Sequence, residues 1–146
     1  MSLEEANIEV YLRIRHPSLD PDEITEELGL KPEHYWMAGD VRPATADTFA
    51  SSHYAESYWF GLVRVPAEFE KLPDLEVMLV LAATRLKSRK TLWKRITEEG
   101  GRAELLVTLQ SDDGATNIDL TSETMSMLNG IGLSISIATQ SQFAAA

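Results

Sequence analysis

Near the start of the chain Ile8, Val10, Leu12 and Ile14 alternate with Glu9, Tyr11, Arg13 and Arg15. That period of two predicts a strand with one buried face. The same period returns at Ala103, Leu105, Val107 and Leu109, interleaved with Glu104, Thr108 and Gln110. It returns once more at Leu133, Ile135 and Ile137, interleaved with Ser134 and Ser136. Tyr58–Val65 is dense in aromatic and β-branched residues, with Trp59, Val63 and Val65 assigned to one face and Phe60 and Leu62 to the other; such a composition favours a central strand. A further extended segment, Lys31–Trp36, ends at Gly39-Asp40. Leu75, Met78, Leu79, Ala82 and Leu86 follow helical spacing behind Pro73. Leu92, Trp93 and Ile96 do so again, with Ser88 as a candidate cap and Gly100-Gly101 as the stop. The pattern fits either two helices or one kinked helix.

The clearest local punctuation lies in Leu19–Asp40. Asp20 is a good N-cap acceptor and Pro21 occupies a position where its missing N–H costs nothing. Glu23 stands where it can reach back in a capping box, and Leu19 and Ile24 stand at the two positions of a hydrophobic staple. Gly29 supplies the left-handed stop, after which Leu30 can fold back on Ile24 and Lys31-Pro32 prevents continuation. A short helix over Asp20–Leu28 is the expectation. Thr121 repeats the device before a last helix, with Leu120 and Met125 as staple, Met125 and Leu128 as apolar face, and Gly130 as stop.

The order is strand, helix, strand, loop, strand, helix pair, strand, helix, strand. Short connections and one-sided strands predict a single α+β domain over residues 1–146, with a mainly antiparallel or mixed sheet and helices packed on one face. Its units resemble ferredoxin-like βαβ units. Residues 41–57 show neither period and are expected to form a long surface loop. Asp112-Asp113-Gly114 reads as a turn, followed by a short segment over Thr116–Asp119, and residues 140–146 read as a frayed tail.

The ordered set Asp20-Pro21-Asp22-Glu23-Ile24-Thr25, Leu28-Gly29, Lys31-Pro32, Gly39-Asp40, Trp59, Leu128, Gly130 and the Leu133–Ile137 strand resembles the bacterial domain-of-unknown-function family 4279. The resemblance covers most of the chain. It implies a compact α+β domain occurring as a small stand-alone bacterial protein, and it brings no catalytic residues to transfer. Members of that family often close the final strand with an aspartate and an aromatic, whereas here it runs Ile137-Ala138-Thr139-Gln140.

Composition narrows the classes further. With 146 residues the chain can bury a core unaided, and with no cysteine it has neither disulfides nor thiolate chemistry. MSLEEANIEV lacks the features of a signal peptide, and the longest apolar run, Val77–Ala83, is too short to span a bilayer. A cytoplasmic location with no membrane partner is expected. A net charge of −10 argues against nucleic acid as a partner. Acids crowd the first helix (Asp20, Asp22, Glu23, Glu26, Glu27) and bases crowd Arg85–Arg95. These are either two solvated faces or faces that meet in self-association.

His16, His34 and His53 match no metal-ligand spacing and are expected at the surface, with no metal and no cofactor. Ser51-Ser52-His53 lacks the context of a nucleophile, and Gly100-Gly101 and Gly130-x-Gly132 stand in the wrong order for a phosphate loop. No catalytic set emerges, so the expectation is a protein that is not an enzyme. The remaining constellation combines His34, Tyr35, Trp36, Asp40 and Arg42 with His53, Tyr54 and Trp59 around the loop. Of these, Trp36, Asp40, Arg42, His53 and Trp59 are the candidate ligand or partner surface. The competing reading makes Trp36 and Trp59 core aromatics whose N–H groups find backbone partners. Two functions fit: a non-catalytic protein-interaction module, with immunity-protein-like blocking of a partner as one form, or a small-molecule-binding regulatory domain using the cleft between the 41–57 loop and the sheet. Either a protein partner or self-association through an edge strand such as Leu133–Ala138 is expected.

Overall fold

The computed structural model of the chain describes residues 7–44, 52–64, 75–111 and 118–141. Its elements are β1 (Asn7–His16), α1 (Pro21–Leu28), β2 (His34–Trp36), β3 (Val41–Arg42), β4 (Ser52–His53), β5 (Ser57–Leu62), α2 (Leu75–Leu86), α3 (Lys90–Glu98), β6 (Arg102–Ser111), α4 (Ser122–Ile131) and β7 (Leu133–Ser141). Five strands form one mixed sheet in the order β2-β5-β1-β6-β7, and β3 and β4 form a separate two-stranded ladder. All neighbours in the large sheet are antiparallel except β6 and β7. The fold is therefore α+β, as the alternation predicts. Two βαβ units are visible: β6-α4-β7 joins adjacent parallel strands, and β1-α1-β2 joins parallel strands with β5 inserted between them.

Alternation decides which face each strand gives to the core. Val10, Leu12 and Ile14 of β1, Trp59 of β5, Ala103, Leu105 and Val107 of β6 and Leu133 of β7 are buried in one cluster with Ile24 and Leu28 of α1, Leu79 and Leu86 of α2, Leu92, Trp93 and Ile96 of α3 and Leu128 of α4. Each such aliphatic side chain contributes about 1.5–3 kcal/mol when fully buried. The helices thus lie against this face alone, α1 on β5, α2 on β1, α3 on β6 and α4 on β7. Trp59 is fully buried and its indole N–H donates to the Thr25 hydroxyl at 3.0 Å, tying β5 to α1.

The start of α1 follows its sequence signals. The Asp20 carboxylate accepts from the Asp22 N–H at 2.9 Å, Gly29 takes φ 66°, and Leu19, Ile24 and Leu30 are all buried in the one core cluster. The capping box does not form: Glu23 turns outward to Arg95 of α3 at 3.0 Å. That contact also shows the acidic and basic helices meeting within one molecule. Arg89, not Ser88, precedes α3, and it makes no side-chain cap, because the short turn after α2 is closed instead by backbone bonds from Lys87 to Ala83 and from Arg89 to Leu86. α2 and α3 are accordingly two helices. The last helix continues one residue past Gly130 and stops at Gly132, φ 94°. Met125 is 49% exposed; Thr124 and Leu128 are its buried positions, so the apolar face is rotated away from Met125.

The irregular loop expected over 41–57 contains ordered structure. Val41 pairs with His53 and Arg42 with Ser52. Residues 45–51 of that loop, Pro73, Asp112-Asp113-Gly114, Thr116 and the tail from 142 lie outside the described residues. The final strand reaches Ser141, two residues into the stretch expected to fray. None of the described helices is long and apolar enough to cross a membrane.

Candidate interaction surface

Among the described residues no helix lies against the second face of the sheet. Cross-strand register arranges its side chains in rows. One row runs Trp36, Tyr58, Arg15, Arg102; the next runs His34, Phe60, Arg13, Glu104; a third holds Leu62, Tyr11 and Leu106. Opposite and diagonal neighbours on one face lie within reach of aromatic side chains, and here they stack. Tyr11 and Phe60 lie 4.8 Å apart between centroids at 13°. Trp36 is sandwiched between Tyr58 at 4.4 Å and Tyr54 at 4.2 Å, both nearly parallel to it. Arginines close the two ends of that sandwich: Arg15 over Tyr58 at 5.8 Å and Arg42 over Tyr54 at 5.9 Å. Stacked pairs contribute about 0.5–1.5 kcal/mol beyond burial, and exposed cation–π contacts about 0.5–1 kcal/mol.

Local backbone bonds hold this ladder in place. The Trp36 indole N–H donates to the Glu56 carbonyl at 3.1 Å, and the buried Ser57 hydroxyl accepts from the Ala38 N–H at 2.9 Å. Asp40 is a turn residue: its carboxylate accepts from the Met37 N–H at 2.9 Å, beside Gly39 at φ 91°. Gly39 and Tyr54 exchange the ladder onward through Gly39 N–H to Tyr54 O and Tyr54 N–H to Asp40 O, both 2.9 Å. Tyr54 is thereby brought over Trp36. A groove of about 430 Å³ runs alongside, lined by Arg15, Trp36, Arg42, Tyr54, Glu56 and Tyr58.

The electrostatics of the face are uneven. Arg13 is paired with Glu104; burial works against its charge, but the bond and charge of Glu104 raise its pKa overall. Burial first, then the hydrogen bond and charge of Glu9 and the charge of Glu33, push the Tyr11 phenol up to about 12, so it stays neutral. Among the described residues no group of three or more His, Asp or Glu stands where it could hold a metal ion.

Of the candidate residues, Trp36 and Arg42 are brought together with Tyr54 in this ladder. Asp40 shapes its turn, and His53 sits exposed on β4 opposite Val41. Trp59 is in the core, on the other side of the sheet. Its partner is a side-chain hydroxyl, whereas Trp36 finds the backbone carbonyl expected of a packed indole while remaining partly accessible. Arg15, Tyr58, Phe60 and Tyr11 belong to the surface and were absent from the candidate set. The signal for them was the polar half of the alternation itself, Tyr11-x-Arg13-x-Arg15, in a strand whose other half is buried.

His16 corrects the expectation of a surface histidine. It is 1% exposed, because it falls on the core-facing phase of β1. Its Nδ1 accepts the backbone N–H groups of Ser18 (2.9 Å) and Leu19 (2.8 Å), which leaves Nε2 carrying the proton and donating to Glu99 at 2.8 Å. Glu99 also receives Arg95 at 3.2 Å. Desolvation pushes the Glu99 carboxyl up, but the hydrogen bonds from His16 and Arg95 and the charge of Arg95 bring it below the usual carboxylate range.

A family model described as a domain of unknown function, DUF4279, matches residues 5–142. No curated protein and no solved structure gives a significant match.

Proposed function

This chain belongs to the DUF4279 family, and from that premise we propose that it is a non-catalytic protein-interaction module that docks its partner on the helix-free face of the sheet. The observation that carries the reading is the Arg42–Tyr54–Trp36–Tyr58–Arg15 ladder, on a sheet face over which none of the described helices lies. Trp, Tyr and Arg are the residues most enriched at interface hot spots, where large preformed side chains lose little freedom on binding. Blocking of a partner, in the manner of immunity proteins, is one form this action would take, and a cytoplasmic setting suits it. Affinity capture from a native lysate tests the reading, with the double variant Trp36→Ala/Arg42→Ala as control. A partner enriched on the wild-type chain and lost on the control supports it; no enrichment over the control defeats it.

A small-molecule regulatory role is the second reading, favoured by the groove beside Trp36, whose volume falls in the range of ligand sites. Thermal-shift screening against metabolites tests that role, since a ligand bound only to the folded state raises the melting temperature. A second copy of the chain is also a fitting partner at another place. β7 is nine residues long, carries no charge and no proline, and among the described residues pairs only with β6. Ile137 on it is 36% exposed. An uncharged edge of that length is a template for pairing unless something covers it.

A further inference from the structure

Two of the described arginines are matched closely to acids: Arg13 to Glu104, and Arg95 to both Glu23 and Glu99. Arg15 and Arg42 are not. Among the described residues neither has a carboxylate partner; each has only the face of a tyrosine. Arg15 also stands directly opposite Arg102 in the β1/β6 register. Like charges facing one another across strands are destabilising, and Arg102 is only loosely offset, 4.0 Å from Glu56. Arg15 and Arg102 therefore stand side by side at one end of the aromatic stack and Arg42 closes its other end, on a chain whose net charge is −10.

The ring geometry sharpens this. Both faces of Trp36 are covered by Tyr54 and Tyr58, so the ladder presents ring edges to the groove. Aromatic edges carry the positive part of the ring quadrupole. Edges and guanidinium forks thus add in sign, and among the described residues Glu56 is the one acid on the wall. Each guanidinium lies over a tyrosine ring, and its planar fork is pre-organised, so less freedom is lost when its N–H groups engage an acceptor. We infer that this groove receives carboxylate side chains of a protein partner, with Arg15 and Arg42 as the groups that bind them in fork-to-carboxylate pairs. The inference rests on the interaction reading above. A protein segment is the favoured source because Phe60 in the next row and Leu62, Tyr11 and Leu106 in the row beyond it offer apolar contact that a free anion cannot use.

The test is a titration of the full ¹⁵N-labelled chain, following the arginine Nε–H resonances. The probes are a capped peptide alternating glutamate with valine, the same peptide with glutamine, and inorganic phosphate. The Arg15 and Arg42 signals should shift saturably with the acidic peptide, which should bind at least about tenfold more tightly than the glutamine peptide and weaken as salt rises. Arg15→Gln/Arg42→Gln should remove that preference, and Arg15→Lys/Arg42→Lys, which keeps the charges without the forks, should retain only part of it. Equal binding of both peptides, an unchanged preference in the double glutamine variant, or saturation by phosphate at lower concentration than by the acidic peptide overturns the inference. Loss of partner capture in Trp36→Ala/Arg42→Ala but full capture in Arg15→Gln/Arg42→Gln would leave the interaction reading standing and remove this one.

Discussion

Replacing His16 should be among the costliest single changes in the chain, for a reason specific to its acceptor nitrogen. Nδ1 accepts two backbone N–H groups at the turn into α1, and the Leu19 N–H is buried while that of Ser18 is partly so. In His16→Ala the Leu19 donor is left without a partner, at about 1–3 kcal/mol; the Ser18 donor finds water at smaller cost. The vacated imidazole volume adds a cavity term beneath Leu19, the residue that staples α1 to the core. Together these give about 3–4 kcal/mol, a large share of the roughly 5–15 kcal/mol that holds a domain folded. His16→Asn restores an oxygen acceptor at Asx-turn spacing, the pattern Asp20 already uses towards Asp22. It should recover about half the loss. Urea unfolding followed by the fluorescence of the buried Trp59 and Trp93 measures both, through a lowered midpoint at unchanged slope. A loss below about 1 kcal/mol in the alanine variant, or an asparagine variant no better than alanine, would refute the accounting.

Gly61→Ala tests close approach in the core: a Cβ there would lie 2.8 Å from Trp59 Cη2 and 3.1 Å from the Lys31 carbonyl. The indole must shift off Thr25, costing about 1–3 kcal/mol, and the Trp59 emission should move to longer wavelength; an unchanged spectrum and midpoint count against the packing described. For Glu99 the folded pKa lies below the unfolded one, so its contribution is present above the unfolded value and lost as pH falls through the folded value. Stability of the wild-type chain should therefore drop more steeply than that of Glu99→Gln between about pH 5 and pH 3; parallel curves would show that the His16 and Arg95 bonds carry nothing. If β7 pairs with a second copy, one of Ser134→Cys, Ser136→Cys or Ala138→Cys should form a disulfide dimer under mild oxidation, since the chain has no cysteine of its own to interfere. Monomer in all three, with light scattering at 16.3 kDa over a range of concentrations, rules that pairing out.

The scaffold was legible where sequence rules are local. Asp20, Pro21, Gly29 and Thr121 act through bonds within a turn of themselves, and each does what its position implies. The same rules misplace Glu23, Ser88 and Met125, where other contacts decide: local backbone bonds close the turn at Ser88. Glu23 has Arg95 within reach across the helix pair. Met125 is a staple residue only if α4 turns that flank to the core, and the helix instead buries Thr124 and Leu128. Periodicity, by contrast, places His16 correctly: the Ile8-to-Ile14 alternation, extended by one step, lands on it as a buried position. Judging it only by its lack of metal-ligand spacing hid a residue that the pattern already placed.

The surface was legible only by half, and the reason is physical. A period of two says which residues share a face; it does not say whether a helix will cover that face. Tyr11, Arg13, Arg15, Tyr58 and Phe60 were all on the second phase of their strands, yet only register makes them neighbours, and register is set by pairings many residues apart in the chain. Trp59 and Trp36 illustrate the point within one short stretch of sheet. They are one residue out of phase across the β2/β5 ladder, where Trp36 faces Tyr58 and Tyr35 faces Trp59. One indole is consequently sealed beneath α1, and the other stands in an arginine-capped stack on the open side. A single-residue slip of β2 would turn Trp36 to the core side and Tyr35 to the open side, so the location of the candidate surface is fixed by the same hydrogen-bond ladder that fixes the core.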